Sequence, residues 1–379
     1  MLGAAAAAGA TGGLTGCGSN DPTGAMEQPS GRTITVGLIS PATGAFRKMG
    51  DDITKGFKLY VEDHANLLGR HYVNLVTEDE GNSADTATRA VSNLLNRSPI
   101  ALAGVASPAS LTAAASAVEG AKVPLVTTAA APPALTNKLF VWRVSQVEGE
   151  AGRALGRYAG GEGDTAWVIR DDTTTSQQDA REFRDALGEV GGQVIGESVG
   201  TGGYAGRLQQ ARNSGARTIF ASYSGNDALA MLQAYRASGI VRKLIGPGSL
   251  TETTDLSKLG RMPERVYTAM FYAPDLDNEV NRRFVSSYHK KHGVQPSAFA
   301  AAAYDCASVL DKALRLMGDD LTPAALNRAF SLLGQMESPR GIWAFNINRT
   351  PQQKWFLRRL RFDGQVAANM LDADLAVLS

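Results

Sequence analysis

The side chains best suited to metal or acid–base chemistry are few and scattered. The sequence has four histidines, and only His289 and His292 are close, at a spacing that places both on one face of a helix. Such a pair can ligate zinc, but no cysteine or acidic cluster accompanies it, and the flanking Lys290 and Lys291 would repel a cation. We therefore interpret the pair as solvated surface and predict no metal site.

The motifs of common catalytic sites are also missing. The sequence has no Gly-x-Ser-x-Gly nucleophile elbow, no His-Glu-x-x-His zinc motif and no phosphate-binding loop. The stretch from Gly200 to Ala205 matches a loose dinucleotide fingerprint, but the next predicted strand ends in Ser222-Tyr223-Ser224, not in the acidic residue that holds a ribose. The sequence thus predicts neither an enzyme nor a bound cofactor.

The two cysteines differ in setting. Cys306 lies in an apolar helical stretch, where a buried thiol packs like a small hydrophobic side chain. Cys17 follows Leu14-Thr15-Gly16 and a run of small and apolar residues, which resembles the lipobox of bacterial lipoproteins. We predict that Cys17 is lipidated and anchors the protein outside the cytoplasm. No other segment has the ~20 apolar residues of a spanning helix, so we expect membrane contact through the lipid alone.

Composition and charge exclude some partners. The 379 residues are too many for one ordinary domain, and 38 lysines and arginines almost cancel 37 aspartates and glutamates. A net charge of +1 predicts no nucleic-acid partner. The longest basic cluster alternates with apolar residues and is interpreted as the exposed face of a strand; it comprises Lys354, Arg358, Arg359 and Arg361.

After the tether, short apolar strands alternate with amphipathic helices. This alternation predicts parallel sheets with helices on both faces, which bind ligands beyond the carboxyl ends of the strands. Strands are predicted at 33–39, 73–77, 100–103, 123–127, 165–169, 194–199, 218–221 and 243–246. Helices are predicted at 56–64, 84–95, 110–118, 181–187, 204–211 and 228–235.

Several segments, in their order and spacing, resemble the type I periplasmic binding proteins of ABC importers, in the branched-chain amino acid receptor family. The resemblance runs from Ile34 to about Gln365. It rests first on Val36-Gly-Leu-Ile-Ser-Pro-Ala-Thr-Gly44 with Gly50 and Gly56, Ala121-Lys-Val-Pro-Leu-Val-Thr-Thr, Pro133-Ala-Leu-Thr and Phe140-Val-Trp-Arg-Val. The later half is most similar to members that carry aromatic carboxylates, through Ser224-Gly-Asn-Asp-Ala-Leu-Ala, Gly246-Pro-Gly, Tyr267-Thr-Ala, Ala303-Tyr-Asp and Ser338-Pro-Arg-Gly-Ile-Trp-Ala-Phe-Asn.

The resemblance implies an α/β protein with two Rossmann-like lobes, joined by three hinge crossovers, that trap a ligand between them. Residues 1–32 would be a lipoprotein signal and tether. Lobe 1 would comprise 33–146 and 273–343, and lobe 2 would comprise 147–272 and 344–379. The implied partners are a small-molecule ligand and the ABC permease subunits in the membrane.

In amino-acid-binding relatives, two loops of lobe 1 hold the α-carboxylate of the ligand. The first corresponds to residues 104–110, where hydroxyls and N–H groups at a helix start would favour an anion. The second corresponds to residues 127–131, and alanine stands where a hydroxyl residue is expected near its end. The expected contact residues in these loops are Ser107, Pro108, Ala109, Ala129 and Ala131.

Lobe 2 lacks the anchors of an amino acid's amine. The acidic residue that grips the ammonium in relatives falls at Gly248, and an aromatic partner falls at Thr175. A buried ammonium without a carboxylate partner would cost several kcal/mol, so the sequence argues against an α-amino acid. Glu252 and Asp172 are the neighbouring carboxylates that would supply the missing anchor.

Three aromatic residues match or adjoin pocket positions. Phe46, Tyr223 and Phe299 would stack on a flat ring, although an ordinary core role is the alternative for each. The polar candidates beside them are Arg47, Ser224 and Ser249. The sequence therefore predicts a receptor for a small carboxylated ligand with an aromatic or hydrophobic body. Binding of branched-chain or other amino acids, and a ligand sensor of the same fold, are the alternatives.

Overall fold

A computed structural model describes residues 29–44, 46–261, 265–362 and 367–378. The predicted lipidation site, Cys17, lies outside the described residues. The strands are β1 (Thr33–Ser40), β2 (Leu67–Leu68), β3 (His71–Asp79), β4 (Ala101–Gly104), β5 (Leu125–Thr127), β6 (Val141–Arg143), β7 (Thr165–Arg170), β8 (Gln193–Val199), β9 (Thr218–Ser222), β10 (Lys243–Pro247), β11 (Val266–Met270), β12 (Ala344–Phe345), β13 (Pro351–Phe362) and β14 (Ala367–Leu378).

The α-helices are α1 (Arg47–Asp63), α2 (Ala84–Leu95), α3 (Pro108–Ala121), α4 (Glu150–Ala159), α5 (Thr174–Glu189), α6 (Tyr204–Asn213), α7 (Gly225–Ser238), α8 (Ser249–Glu252), α9 (Glu279–His292), α10 (Ala298–Arg315) and α11 (Pro323–Phe330). The helix predicted at 84–95 is confirmed to the residue. Its start is fixed locally, because the Ser83 hydroxyl accepts a hydrogen bond from the N–H of Thr86 in a capping box.

The first sheet has the strand order β2-β3-β1-β4-β5-β6. All its pairings are parallel except the short β2–β3 pair. One hydrophobic cluster includes residues of α1, α10 and α11, and a second includes residues of α2 and α3. The sheet is therefore covered by helices on both faces, as its alternating pattern predicts.

The second sheet has the order β12-β13-β11-β10-β9-β7-β8, with β14 beside β13. Strands β7 to β11 are parallel, whereas β13 runs antiparallel to β11 and β14 runs antiparallel to β13. The prediction of parallel sheets is thus right for β7–β11 and incomplete at the β12–β14 edge. Helices α4 and α5 pack in one cluster of this sheet, and α6 and α7 pack in another.

The chain passes three times between the two sheets, after β6, after β11 and after α11. Helix α1 packs closely on α10 because of Gly56, where a Cβ atom would overlap the carbonyl oxygen of Ala300. Gly50 allows the start of α1 to approach the loop after β1, since a Cβ there would overlap the carbonyl of Pro41. These two motif glycines therefore act through packing.

The basic cluster of β13 does not form one exposed face. Lys354 and Arg361 are exposed, but Arg358 is completely buried and pairs with Glu252. The prediction is wrong at Arg358 because contacts from outside the strand cover that face.

Cys306 and the two neighbouring histidines occupy a buried and a surface position, respectively. Cys306 is buried in α10, close to the carbonyl of Val126. His289 is exposed, while His292 is half-buried and packs edge-on against Tyr288. No group of three potential metal ligands occurs within the described ranges. In that same part of the chain, no helix has both the length and the apolar character needed to cross a bilayer.

Candidate ligand-binding cleft

Three helices of the first sheet begin at one cavity. Helices α1, α2 and α3 follow the carboxyl ends of β1, β3 and β4. A cavity of about 60 Å³ is bordered by the N-cap residue of α1 and by the N-cap and first-turn residues of α2 and α3. Helix N-termini carry partial positive charge and unpaired N–H groups, so this arrangement favours an anionic group. Among the predicted site residues, the cavity is lined by Phe46, Ser107 and Ala109.

Glu80 also lines this cavity, and sequence reasoning missed it. Its carboxylate accepts hydrogen bonds from the N–H groups of Ala106, at 2.7 Å, and Ser107, at 3.0 Å. Only 2 % of the residue is exposed. Burial raises the pKa of Glu80, and hydrogen bonds from Ala106, Ser110 and Ser107 offset part of that rise.

The other donors at the start of α3 are partly occupied. The Ser107 hydroxyl accepts from the N–H of Ser110 and donates to the Ser110 hydroxyl at 2.9 Å. Pro108 has no N–H group. Ala109 is exposed and lines the cavity.

The loop at residues 127–131 is hydrogen-bonded to the loop at residues 104–110 and to the segment that follows β6. The Thr128 hydroxyl donates to the carbonyl of Val105 at 2.7 Å. Ala129 and Ala131 are both buried. The N–H of Ala131 donates to the carbonyl of Gln146, and its carbonyl accepts from the N–H of Glu148. The structure therefore places these two alanines in the wall behind the cleft.

Thr175, which stands where relatives have an aromatic residue, hydrogen-bonds to Glu148 in the segment after β6. It is half-buried in the first turn of α5, and its hydroxyl donates to Glu148 Oε1 at 2.5 Å. Burial raises the pKa of Glu148, although the hydrogen bond from Thr175 opposes the rise. Burial and the neighbouring charge of Glu148 raise the pKa of Asp179 to about 7. Burial also raises the pKa of Glu150 to about 7.

Tyr223 and Ser224 lie together after β9. The Tyr223 ring is 1 % exposed and packs edge-on against Tyr204, while its hydroxyl donates to the carbonyl of Gly200 at 2.9 Å. Ser224 is half-buried at the start of α7, and its hydroxyl makes no capping bond. Ser249 donates to the carbonyl of Tyr223. The Tyr223 and Ser249 hydroxyls thus donate to backbone carbonyls, whereas the Ser224 hydroxyl makes no capping bond to the backbone.

Gly248 is buried and lies close to Met270. A Cβ atom at this position would overlap the Met270 sulfur. An acidic side chain here would therefore require Met270 to move.

Glu252 lies one helical turn beyond Gly248, but its charge is already paired. The carboxylate bonds to the Arg358 guanidinium and accepts from the N–H of Ala298 at 3.3 Å. Both members of the pair are buried, with side chains that are 7 % and 0 % exposed. The contact to Ala298 crosses from the second sheet's helix α8 to the start of α10, beside the half-buried Phe299.

The remaining predicted residues lie at the surface. Arg47 opens α1 and is exposed, and Asp172 is exposed in the loop after β7. A larger cavity of about 380 Å³ lies elsewhere, and none of the predicted ligand-binding residues lines it. It is bordered by Trp142, Phe330, Ser331, Leu333, Phe345, Asn346, Ile347 and Arg349.

Glu80, Glu148 and Asp179 are the acidic residues that sequence reasoning missed. Glu80 carries a usable signal, because it comes three residues after the strand predicted at 73–77, at the edge of the sheet where ligands bind. Asp179 lies within a helix, and only its burial against other elements distinguishes it from a surface carboxylate.

Comparison with known proteins agrees with this architecture. The chain is 28% identical over 326 residues to the Leu/Ile/Val-binding protein homolog 6 of Brucella melitensis, covering 81% of this chain and 82% of that protein. A solute-binding protein of an ABC transporter from R. palustris, solved with benzoate, aligns with a TM-score of 0.81 and 24% identity, covering 92% of this chain and 98% of that one.

The leucine-binding protein LivK of Thermotoga maritima aligns with a TM-score of 0.79 and 21% identity, covering 90% of this chain and 98% of that one. These likenesses support a type I periplasmic-binding-protein fold. A family model described as periplasmic binding protein matches residues 33–365. The chain therefore belongs to the periplasmic binding protein family, a family of binding proteins and not of enzymes.

Proposed function

We propose that this protein is the extracytoplasmic receptor of an ABC importer and closes over a small carboxylated ligand with an aromatic or hydrophobic body. The observation that carries the ligand class is the state of Glu252. The carboxylate of Glu252, four positions after the lost anchor position at Gly248, is paired with Arg358 and buried, so it is not free to neutralise a ligand ammonium.

The start of α3 supports the carboxylate part of the proposal. Three helix N-termini converge on the cavity lined by Phe46, Ser107 and Ala109. Phe46 and Phe299 are both half-buried, so each retains ring surface for a flat or branched apolar group. We further propose that the two lobes divide at 146/147, 272/273 and 343/344. The contacts of both lobes with the ligand would then drive closure.

Matched ligand pairs test the ligand class most directly. Leucine and 4-methylpentanoate differ only in the ammonium group, as do phenylalanine and 3-phenylpropanoate. In a thermal-shift assay on residues 24–379, we expect benzoate, 4-hydroxybenzoate and the two amine-free acids to raise the melting temperature. A ligand at 100 times its dissociation constant adds about 2.7 kcal/mol to the free energy of unfolding.

The outcome separates the alternatives. Stabilisation by leucine but not by 4-methylpentanoate would contradict the proposed ligand class and favour an amino acid receptor. Stabilisation by none of these compounds would favour a sensor or partner-binding role.

The lipid anchor at Cys17 is a separate part of the proposal, and permease docking depends on it only indirectly. The full chain, expressed in a bacterium fed an alkyne-labelled fatty acid, should incorporate the label in the membrane fraction, and Cys17→Ala should abolish incorporation. Cys306→Ala is the matched control, since that thiol is buried and should leave labelling unchanged. Equal labelling of Cys17→Ala and the unmutated chain would contradict lipidation at Cys17.

A further inference from the structure

Glu80 occupies the place where a carboxylate ligand would be expected to bind. Its two oxygens accept the N–H groups of Ala106 and Ser107, which open the turn before α3. Glu80 is only 2 % exposed, and it lines the cavity. The Glu80 carboxylate therefore already accepts hydrogen bonds from N–H groups that would otherwise be available to an anionic ligand.

The backbone beside Glu80 is held in an unusual conformation. Gly104 and Val105 both have positive φ, at 95° and 65°, and Val105 is a β-branched residue for which this region is unfavourable. A Cβ on Gly104 would overlap the carbonyl of Ile39. The next two residues, Ala106 and Ser107, donate their N–H groups to Glu80. Glu80 therefore helps to hold the strained turn at Gly104 and Val105.

A ligand carboxylate in this cavity would lie very close to Glu80. The cavity is about 60 Å³, which is the space of a few water molecules at most, and Glu80, Ser107 and Ala109 share its wall. Two carboxylates a few ångströms apart in a buried site do not both remain ionised; they titrate as a pair that retains one proton. A protonated Glu80 would also become a donor to the ligand while its oxygens keep the backbone N–H groups.

We propose that Glu80 is the positioning residue of the ligand's carboxylate subsite, and that a carboxylate ligand binds there together with one proton shared with Glu80. This inference rests on the proposed function, because it requires a carboxylate ligand. No bond is made or broken other than the transfer of a proton from solvent to the carboxyl pair.

The other charged groups near the cavity lie in the first turns of α1 and α2 and at the end of β3. Arg47 and Lys48 lie in the first turn of α1 and Asp85 in the first turn of α2, while the first turn of α3 has no charged residue. Although burial alone would raise the pKa of Asp79, hydrogen bonds from Thr43, Gly81 and Ala42 hold it below its ordinary value. Asp79 therefore stays ionised near neutral pH.

The direction of the pH dependence follows from the charge. Burial raises the pKa of Glu80 in the free protein, and an adjacent anionic ligand raises it further. Protons are then taken up on binding, so the affinity for a carboxylate rises as pH falls through the window between the two pKa values. The ligand itself stays ionised there, because ordinary carboxyl groups have a pKa of about 4.

The test measures the dissociation constant of benzoate by calorimetry from pH 5.5 to pH 8 in the unmutated protein, Glu80→Gln and Glu78→Gln. We expect the affinity of the unmutated protein for benzoate to rise as pH falls within this range, by up to about tenfold for each pH unit, since one proton is taken up on binding. Glu80→Gln should bind with less than about twofold variation over the same range, because it has no proton to exchange. Glu78→Gln is the matched control, two positions earlier on β3 and paired with Asn93 instead of the cavity loop, and it should behave like the unmutated protein.

The same titrations separate proton coupling from a purely structural role. The carboxyl groups of Glu148, Glu150 and Asp179 also have raised pKa values, so a pH dependence that persists in Glu80→Gln would assign the proton to them and overturn the inference. If Glu80→Gln does not fold, calorimetry of the unmutated protein in two buffers of different ionisation enthalpy gives the proton count directly. Uptake approaching one proton per benzoate supports the inference, and no uptake overturns it.

Failure of the inference is distinguishable from failure of the proposed function. Benzoate binding with an affinity independent of pH would leave the carboxylate receptor intact and remove only the role of Glu80. If no carboxylate binds the unmutated protein at any pH, both are wrong.

Discussion

The pair of Glu252 and Arg358 is buried between helix α8 and strand β13 of the second sheet. A buried carboxylate loses its hydration, and here the guanidinium and one backbone N–H replace it. Removing one partner leaves an uncompensated buried charge, whereas removing both leaves only a packing change. The energetic role of the pair is therefore testable by comparing single and double substitutions.

We expect Arg358→Met to lower the free energy of unfolding by about 3–5 kcal/mol, because Glu252 would remain buried and unpaired. The double variant with Glu252→Gln should recover most of that loss. Chemical denaturation of the two variants measures both effects. Arg361→Met is the control on the same strand, since Arg361 is exposed and its replacement should change stability by less than about 0.5 kcal/mol. Equal losses for Arg358→Met and the double variant would argue against the pair.

Gly248 decides whether an amino acid receptor can be recovered by a single substitution. Because any Cβ there overlaps the sulfur of Met270, we expect Gly248→Asp to destabilise the protein by about 1–3 kcal/mol and not to confer leucine binding. Gly206→Ala in α6 is the control, as the space around that position is open. Thermal unfolding with and without leucine measures both outcomes, and tight leucine binding by a stable Gly248→Asp protein would show that α8 can move away.

At the scale of elements, the packing of α1 on α10 depends on one glycine. A methyl group on Gly56 would overlap the carbonyl of Ala300, so we expect Gly56→Ala to separate the helices and lower the free energy of unfolding by about 1–3 kcal/mol. Gly120→Ala in α3 meets open space and should instead raise it by about 0.5–1 kcal/mol, because alanine has the higher helix propensity. Chemical denaturation should therefore give changes of opposite sign; the same sign for both would contradict the packing argument.

At the scale of the whole molecule, buried carboxyl groups near the hinge link stability to pH. Burial and the charge of Glu148 raise the pKa of Asp179 to about 7 in the folded protein, above the value of about 4 expected in the unfolded chain. The folded state thus binds more protons, so this group favours folding most at low pH and loses that contribution as pH rises through about 7.

We expect Asp179→Asn to raise the free energy of unfolding at pH 8 by an amount on the order of 2 kcal/mol, and to reduce its fall between pH 5 and pH 8. The asparagine has no charge to bury and can keep the hydrogen bond from the Ser222 hydroxyl. Denaturation at several pH values measures the slope. Asp185→Asn on the exposed side of the same helix is the control, and an unchanged slope in Asp179→Asn would assign the pH dependence to other groups.

The sequence by itself determined the alternation of strands and helices between β1 and β10, except for the short strands β2 and β6 and helix α4, and it determined the family to which the chain belongs. Local patterns suffice there, because strand alternation and the capping box before α2 each act within a few residues. Parts of the cavity beside the first sheet were also within reach, since Ser107 and Ala109 lie in the loop and first turn that follow β4. The antiparallel edge formed by β13 and β14 was not, because its pairing joins distant segments.

Only the tertiary structure decided which charges are free. Glu252 and Arg358 are 106 positions apart, and Glu80 is 26 positions from the N–H group of Ala106 that it accepts. Sequence patterns identify each residue's chemical type, but the partners of a buried charge come from other elements of the fold. Since desolvation makes an unpaired buried charge far more costly than a paired one, those distant partners determine what remains for the ligand.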